Sequence, residues 1–191
     1  MTQESIFAIL QEKDVQEQWL NICRLHRITK EYLLVAEEVC EEGVLFFQPL
    51  KEHRDAYDHV IRTFSIDLKK VPEDVDCKLY VKKNLEKAYG HEYRAFFDTA
   101  DWLSYNLRKS IRERLRKMSK REKKEFIQRS GGEAFLERMN QYPFKVAEMR
   151  GDKDIGMASN DSPIREYQNI LDEMIAIYKS CLLYTSDAAD E

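Results

Sequence analysis

Apolar residues recur every three or four positions through most of this 191-residue chain, which is the repeat of an amphipathic α-helix. The sequence holds only six Gly and four Pro, so few residues interrupt the pattern. We find no strand-like alternation of useful length and no internal repeat. The pattern therefore predicts an all-α fold, an antiparallel helical bundle of three long helices with short helices at the C-terminal end.

The boundaries of these helices can be read from the same periodicity. Residues 15–42, 49–65 and about 73–118 are the three long helices, and Gly90 marks a point where the third could break. Ser119 followed by Glu122 fits a capping box, which starts another helix. Residues 130–132, with the sequence SGG, predict a turn. Residues 150–163 are the clearest loop, and a last helix covers residues 164–179.

The last eleven residues, CLLYTSDAADE, have a different character from the rest. Along their whole length they resemble the read-through translation of a sequencing adapter, and such segments are excluded from fold reasoning. We therefore expect residues 181–191 to be a non-native tail. The expected organisation is a helical bundle over residues 1–129 and a helical extension over residues 130–180.

The composition also limits the compartment and the cofactors. No apolar run approaches 18 residues and no N-terminal signal is present, so we expect a cytoplasmic protein without a membrane segment. Cys23, Cys40 and Cys77 lie far apart, which predicts reduced, mostly buried thiols. No Cys-x-x-Cys, Glu-x-x-His or His-Glu-x-x-His motif occurs, and no Gly-rich phosphate loop. We expect no metal and no cofactor.

One short segment carries a candidate catalytic pair. The sequence RDAYDH, residues 54–59, places four residues between Arg54 and His59, with the polar Asp55 next to the arginine. His59 can exchange a proton near neutral pH, Arg54 offers a planar fork to a phosphate, and Asp55 could orient the imidazole. The pattern predicts His53 with Leu50, Tyr57 and other apolar residues on the buried face, and His59 pointing away from it.

This segment, on a helix of an all-α bundle, resembles the motif of the HEPN superfamily. Its members are small helical bundles in which an arginine and a histidine, with four to six residues between them, form a metal-independent ribonuclease site. The resemblance implies that residues 1–129 are a HEPN-like bundle, that two copies of the motif meet at a homodimer interface, and that the protein has a defence or toxin role. Many such domains only bind nucleotides or RNA. The alternative for these residues is a solvated helix face with Asp55–His59 and Asp58–Arg62 pairs.

A second polar stripe follows Gly90. His91, Arg94, Asp98 and Asp101 share one helical face. They are either a solvent-facing surface with an Arg94–Asp98 pair, or a polar layer that faces the Arg54 helix and orients its side chains. We take His91, Arg94 and Asp98 as supporting residues of the candidate site.

Charge is distributed unevenly along the chain. Residues 1–50 carry nine acidic and four basic residues, whereas residues 108–124 carry ten basic and two acidic residues. The basic segment is either a solvated face that docks on the acidic region, or a surface that attracts phosphate backbones. The candidate RNA-contacting residues are Arg108, Lys109, Arg112, Arg116, Lys117, Lys120 and Arg121.

Together these features favour a HEPN-like protein that binds RNA or cleaves it as a metal-independent endoribonuclease, as a homodimer. The competing hypothesis is a non-enzymatic helical module that binds another protein through its acidic N-terminal helix.

Overall fold

The computed structural model describes residues 5–40, 46–68, 75–152 and 162–187. Within these ranges the chain forms seven α-helices and no strand. The helices are α1 (Ile6–Ile9), α2 (Lys13–Val39), α3 (Phe47–Thr63), α4 (Cys77–Lys117), α5 (Lys120–Arg129), α6 (Glu133–Asp152) and α7 (Ser162–Asp187). The all-α prediction is confirmed. The bundle of three long helices with short C-terminal ones is not, because α6 and α7 have 20 and 26 residues.

The predicted helix boundaries agree with the structure to within a few residues for α2 and α3. The expected break in the third helix is wrong, because α4 passes through the buried Gly90 without interruption. The clearest predicted loop is shorter than expected, since α6 continues to Asp152 and α7 begins at Ser162. The part of that loop at residues 153–161 lies outside the described residues.

The start of α5 follows the predicted capping box. The Ser119 hydroxyl accepts a hydrogen bond from the Glu122 backbone N–H at 3.3 Å, and the Glu122 carboxylate accepts one from the Ser119 N–H at 2.6 Å. Two of the otherwise unpaired N–H groups at a helix start are thereby satisfied. The predicted SGG turn joins α5 to α6, with Gly131 and Gly132 at φ values of 110° and 63° that favour glycine.

The chain divides into two compact units, the first made of residues 1–34 and 43–99. Its core combines α1, α2, α4 and the turn after α3, and includes Ile6, Ile9, Val15, Ile22, Ile66, Val81, Leu85 and Ala88. An aromatic group extends this core along α2 and α4, where Tyr32 contacts Phe96 and Phe97 lies against Tyr93. Burying each large apolar side chain contributes about 1.5–3 kcal/mol.

The second unit consists of residues 35–42 and 100–191. Its fully buried large side chains include Leu103, Leu107, Ile111, Phe135, Tyr142, Tyr167, Leu171 and Met174. The Tyr167 hydroxyl donates to Asp101, whose other oxygen lies 3.0 Å from Arg150 Nε. Burial and the bond to Asp101 both raise the pKa of Tyr167, so the phenol stays protonated and keeps this buried hydrogen bond.

The cysteines depart from the prediction in their burial. None of the four cysteines, all of which lie in the described residues, forms a disulfide, but Cys23 is exposed and Cys40 and Cys77 are only half-buried. The buried positions of α2, such as Ile22, Leu25 and Thr29, leave Cys23 on the outer side. Cys181 is the buried thiol, on α7, and burial raises its pKa to about 11.

Among the described residues, no helix is both long and apolar enough to cross a membrane.

The capping box generates a test of the local fold. Replacing Ser119 by Ala removes the capping oxygen, and we expect the free energy of unfolding to fall by about 1 kcal/mol. Ser119→Asp retains an acceptor and should stay close to the parent protein. Urea unfolding followed by circular dichroism measures both variants. Equal losses in the two would show that the cap does not stabilise α5.

Candidate functional site

Two Glu–His pairs cross between α3 and α4 in the first unit. Helix α3 supplies Glu52 and His53, and α4 supplies His91 and Glu92. His91 Nδ1 lies 2.8 Å from Glu52 Oε2, and His53 Nδ1 lies 3.0 Å from Glu92 Oε2. Each glutamate therefore meets the histidine of the other helix.

Helical periodicity explains why these carboxylates face inward. Glu52 shares a face of α3 with the buried Ala56 and Thr63, which follow it by four and eleven residues. On α4, Glu92 follows the buried Leu85 by seven residues. Glu52 and Glu92 are only 4% and 3% exposed, so each carboxylate requires partners inside the protein.

Glu52 is held by a network of donors. Arg94 Nε donates to its Oε2 at 2.9 Å, on the same oxygen that His91 contacts, and Gln48 Nε2 donates to its Oε1 at 3.3 Å. Burial would raise the pKa of Glu52, but the hydrogen bonds and charges of His91 and Arg94 together outweigh it and lower the pKa. The carboxylate is therefore charged at neutral pH.

Glu92 is held by two histidines. His26 Nδ1 on α2 lies 3.0 Å from Oε1, and His53 contacts the other oxygen. Burial opposes ionisation, yet the two imidazoles lower the pKa of Glu92 below its usual range. The hydrogen bond to Glu92 in turn raises the pKa of His26. The rings of His26 and His53 meet edge to face, with centroids 4.8 Å apart.

His59 lies next to these Glu–His pairs. The two pairs together with His26, His59 and Asn84 are here called the polar layer. His59 Nδ1 lies 3.1 Å from the Asn84 side-chain oxygen, while the Asn84 amide donates to the Tyr80 carbonyl at 2.9 Å. Because that oxygen only accepts, the bond requires a proton on Nδ1 of His59, which in the uncharged form of the ring leaves the lone pair on Nε2. The ring also stacks on His91, with centroids 5.4 Å apart. All four histidines of the chain thus lie in this layer.

Arg54 lies on a different side of α3 from His59. Its side chain is 71% exposed and donates twice to Asp55, at 3.0 and 2.7 Å. This bond is the main reason why the pKa of Asp55 is lowered. Among the described contacts no hydrogen bond or ion pair joins Arg54, or Asp55, to His59. The expected Asp55–His59 pair is not formed, whereas the exposed Asp58–Arg62 pair is.

The predicted buried face of α3 is half wrong. Leu50, Tyr57 and Ile61 are 44%, 65% and 47% exposed, and with Arg54 they form one line along the helix, here called the α3 outer stripe. His59, expected to point outward, is half-buried against α4. The physical reason is that polar partners on α4 draw Glu52, His53 and His59 inward, which turns the apolar side chains outward.

The second polar stripe divides between the two units. His91 and Arg94 both contact Glu52, so this part lies against the Arg54 helix and is not a purely solvent-facing surface. Asp98 is half-buried in the first unit, whereas Asp101 belongs to the second unit, where it pairs with Tyr167 and Arg150. The supporting role of His91, Arg94 and Asp98 stays a prediction.

The basic segment lies in the second unit, on the C-terminal half of α4 and on α5. Lys109, Arg112, Arg116, Lys117, Lys120 and Arg121 are exposed, and Arg108 is half-buried. A cavity of about 320 Å³ is lined by Tyr105, Arg108, Lys109, Arg112, Glu113, Arg116 and Pro143. Within the described part of the chain, Nη1 of Arg108 is buried without a hydrogen-bond partner. Burial is also the main cause that lowers the pKa of Arg108. An anion would satisfy this group.

Four residues of the polar layer were missed by the motif analysis: His26, Glu52, Asn84 and Glu92. The helical period gave no signal for Glu52, which lies outside the predicted apolar face of α3. A signal was available for Glu92, which lies on the side of α4 that carries Leu103, because a buried carboxylate needs a cationic partner. Its partners are far away in sequence, however, and their identity cannot be read from the local pattern.

Comparison with protein-family models, curated proteins and solved structures found no match. The site must therefore be interpreted from its own geometry.

The Glu52 network predicts a defined pH dependence. Because the pKa of Glu52 is lowered by folding, its stabilisation is complete above about pH 4.5 and is lost as the pH falls through the lowered value. Glu52→Gln should reduce the free energy of unfolding at pH 7 by about 1–3 kcal/mol, because His91 and Arg94 lose their charged acceptor.

Urea unfolding at a series of pH values tests this. The difference between parent and Glu52→Gln should shrink as the pH falls below about 4.5. Asp58→Asn is the matched control, since its exposed pair with Arg62 is worth only a few tenths of a kcal/mol, about 0.3–0.5. A difference that is constant across pH would contradict the role of the Glu52 charge.

Proposed function

We propose that the first unit is a HEPN-like RNA-binding module in which Arg54 and His59 form a metal-independent endoribonuclease site in a homodimer. The observation that carries this proposal is the environment of His59. An imidazole that is held at Nδ1 by Asn84 and stacked on His91 is suited to transfer protons through Nε2.

The chemistry assigned to His59 follows from its tautomer. With Nδ1 bonded to Asn84, the free Nε2 accepts the proton of a ribose 2′-hydroxyl, whose oxygen then attacks the adjacent phosphate. The protonated ring can afterwards give a proton to the leaving oxygen. Stacking on His91 restricts the ring, so that the imidazole loses little orientational freedom when the substrate binds.

Arg54 would stabilise the phosphate in this reaction. Its guanidinium is held by Asp55 but remains largely exposed, so a phosphate can reach it. The planar guanidinium can donate to two phosphate oxygens. These hydrogen bonds are stronger in the transition state, where negative charge accumulates on the phosphate.

A homodimer would bring the two residues together. Arg54 and His59 are separated by about 140° around the axis of α3, so a single copy directs them to different sides. The α3 outer stripe surrounds Arg54 with exposed apolar side chains, which favours covering by another helix. A second copy of the chain would bury this stripe and place Arg54 of one copy near His59 of the other.

The basic cavity of the second unit supports RNA as the ligand. Its three arginines and one lysine against a single glutamate attract the phosphate backbone, and Arg108 has an unsatisfied donor there.

The second candidate function is a non-enzymatic interaction module. The α3 outer stripe also favours this function, because an exposed apolar helix face is a common protein-binding surface.

The enzymatic proposal is tested by incubating labelled total RNA with the purified chain in EDTA. His59→Gln should reduce the cleavage rate by about 100-fold or more, because the proton acceptor is lost. Arg54→Ala should reduce it by about 100- to 1,000-fold, because the phosphate loses its charged donor.

Arg62→Ala is the matched control for Arg54→Ala. Arg62 is also exposed on α3 and paired with an aspartate of the same helix, but it is not assigned to the site, so this variant should retain cleavage. Folding of all variants is checked by circular dichroism. Absence of cleavage by the parent chain would favour the interaction module, and cleavage retained in folded His59→Gln would exclude the proposed site.

The dimer is tested separately by Tyr57→Glu, which introduces a charge into the α3 outer stripe. We expect the mass measured by light scattering after gel filtration to fall from twice the chain mass to 22.7 kDa. Leu79→Glu, on an exposed apolar residue of α4 outside the stripe, should remain dimeric. A parent chain that is monomeric at all concentrations would contradict the dimer.

A further inference from the structure

We propose that His26, His53 and Glu92 bind a divalent transition-metal ion, at a site separate from the Arg54–His59 pair. Three helices, α2, α3 and α4, each contribute one residue. The candidate ligand atoms all lie within 4.8 Å of one another. The polar layer thus contains two ligand nitrogens and a carboxylate around one point.

The distances within this cluster suit a metal ion. Two ligands that bind at about 2.1 Å from an ion and at right angles are about 3.0 Å apart. Glu92 Oε1 lies 3.0 Å from His26 Nδ1, and Oε2 lies 3.0 Å from His53 Nδ1. The widest separation, up to 4.8 Å, exceeds the limit of about 4.2 Å for ligands on opposite sides of an ion, so small side-chain rotations would complete the site.

Two atoms of the cluster lack hydrogen bonds. His53 Nδ1 and Glu92 Oε2 are both buried, and neither has a hydrogen-bond partner among the described residues although they lie 3.0 Å apart. Since the distance is short enough, the angle must be unsuitable for a hydrogen bond. An ion bound by both atoms would satisfy the nitrogen lone pair and the carboxylate oxygen together.

The ligand set indicates the class of metal. Two imidazoles and one carboxylate suit zinc, cobalt, nickel or ferrous iron, whereas magnesium and calcium prefer oxygen ligands only. Three protein ligands leave at least one position for water or a substrate. The His26 side chain is 50% exposed, which gives an ion access to the otherwise buried cluster.

The sequence motifs did not reveal this site because no two ligands lie close together in the chain. His26 and Glu92 are 66 residues apart. Zinc motifs with fixed short spacings detect only ligands on one helix or one loop.

The test uses the full chain, stripped with a chelator and dialysed, and titrated calorimetrically with zinc chloride. We expect one ion per chain, a higher Tm with zinc, and visible absorption bands when cobalt is added instead. Loss of a residue that hydrogen-bonds to a metal ligand weakens metal binding by about 10- to 100-fold. His26→Gln and His53→Gln remove the ligands themselves, so each should weaken zinc binding by about 100-fold or more.

His59→Gln is the matched control, since it removes a half-buried imidazole of the same layer without removing a ligand, and it should bind zinc like the parent. His26→Gln keeps the test valid if His53→Gln does not fold, because His26 is the most exposed ligand. No stoichiometric binding, or equal binding by the parent and His26→Gln, would overturn the proposal and leave the cluster as an ion pair. Since the RNA assay is run in EDTA, either proposal can fail without the other.

Discussion

The arrangement of the first unit depends on two carboxylates that are buried between helices. Removing a carboxylate from water costs several kcal/mol unless charged donors replace the solvent. The partners of Glu52 are His91 and Arg94, and those of Glu92 are His26 and His53. Because each helix supplies a histidine that contacts the carboxylate of the other, a shift of α3 along α4 would break both pairs at once. The crossed pairs therefore favour a single register of these two helices.

The same constraint explains which parts of the fold could be predicted from the sequence. The helical period and the cap at Ser119 are local, and both are confirmed in the structure. Around Phe96 and Phe97 on α4, the apolar residues at helical spacing also face the core. On α3 the assumption that apolar residues are buried is wrong for Leu50, Tyr57 and Ile61, since the bonds that turn Glu52 inward come from residues 39 and 42 positions away.

The candidate site shows the same division between local and distant information. The spacing of Arg54 and His59 is visible in the sequence, and so is their separation around the helix. The bond that fixes the tautomer of His59 comes from Asn84, 25 residues later, and no local pattern contains it. For this reason the sequence could indicate a candidate pair, whereas the environment of His59 had to come from the structure.

Neighbouring residues on α3 and α4 also allow one layer to hold two kinds of chemistry. Consecutive side chains on a helix point about 100° apart, so Glu52 and His53 can serve different clusters, as can His91 and Glu92. One cluster combines Glu52 with Arg94 and borders His59, and a cationic donor there discourages a metal ion but suits a phosphate. The Glu92 cluster has imidazoles as its only described partners, which suits a metal ion. The position of the arginine, beside Glu52 and not beside Glu92, thus separates the two proposed functions.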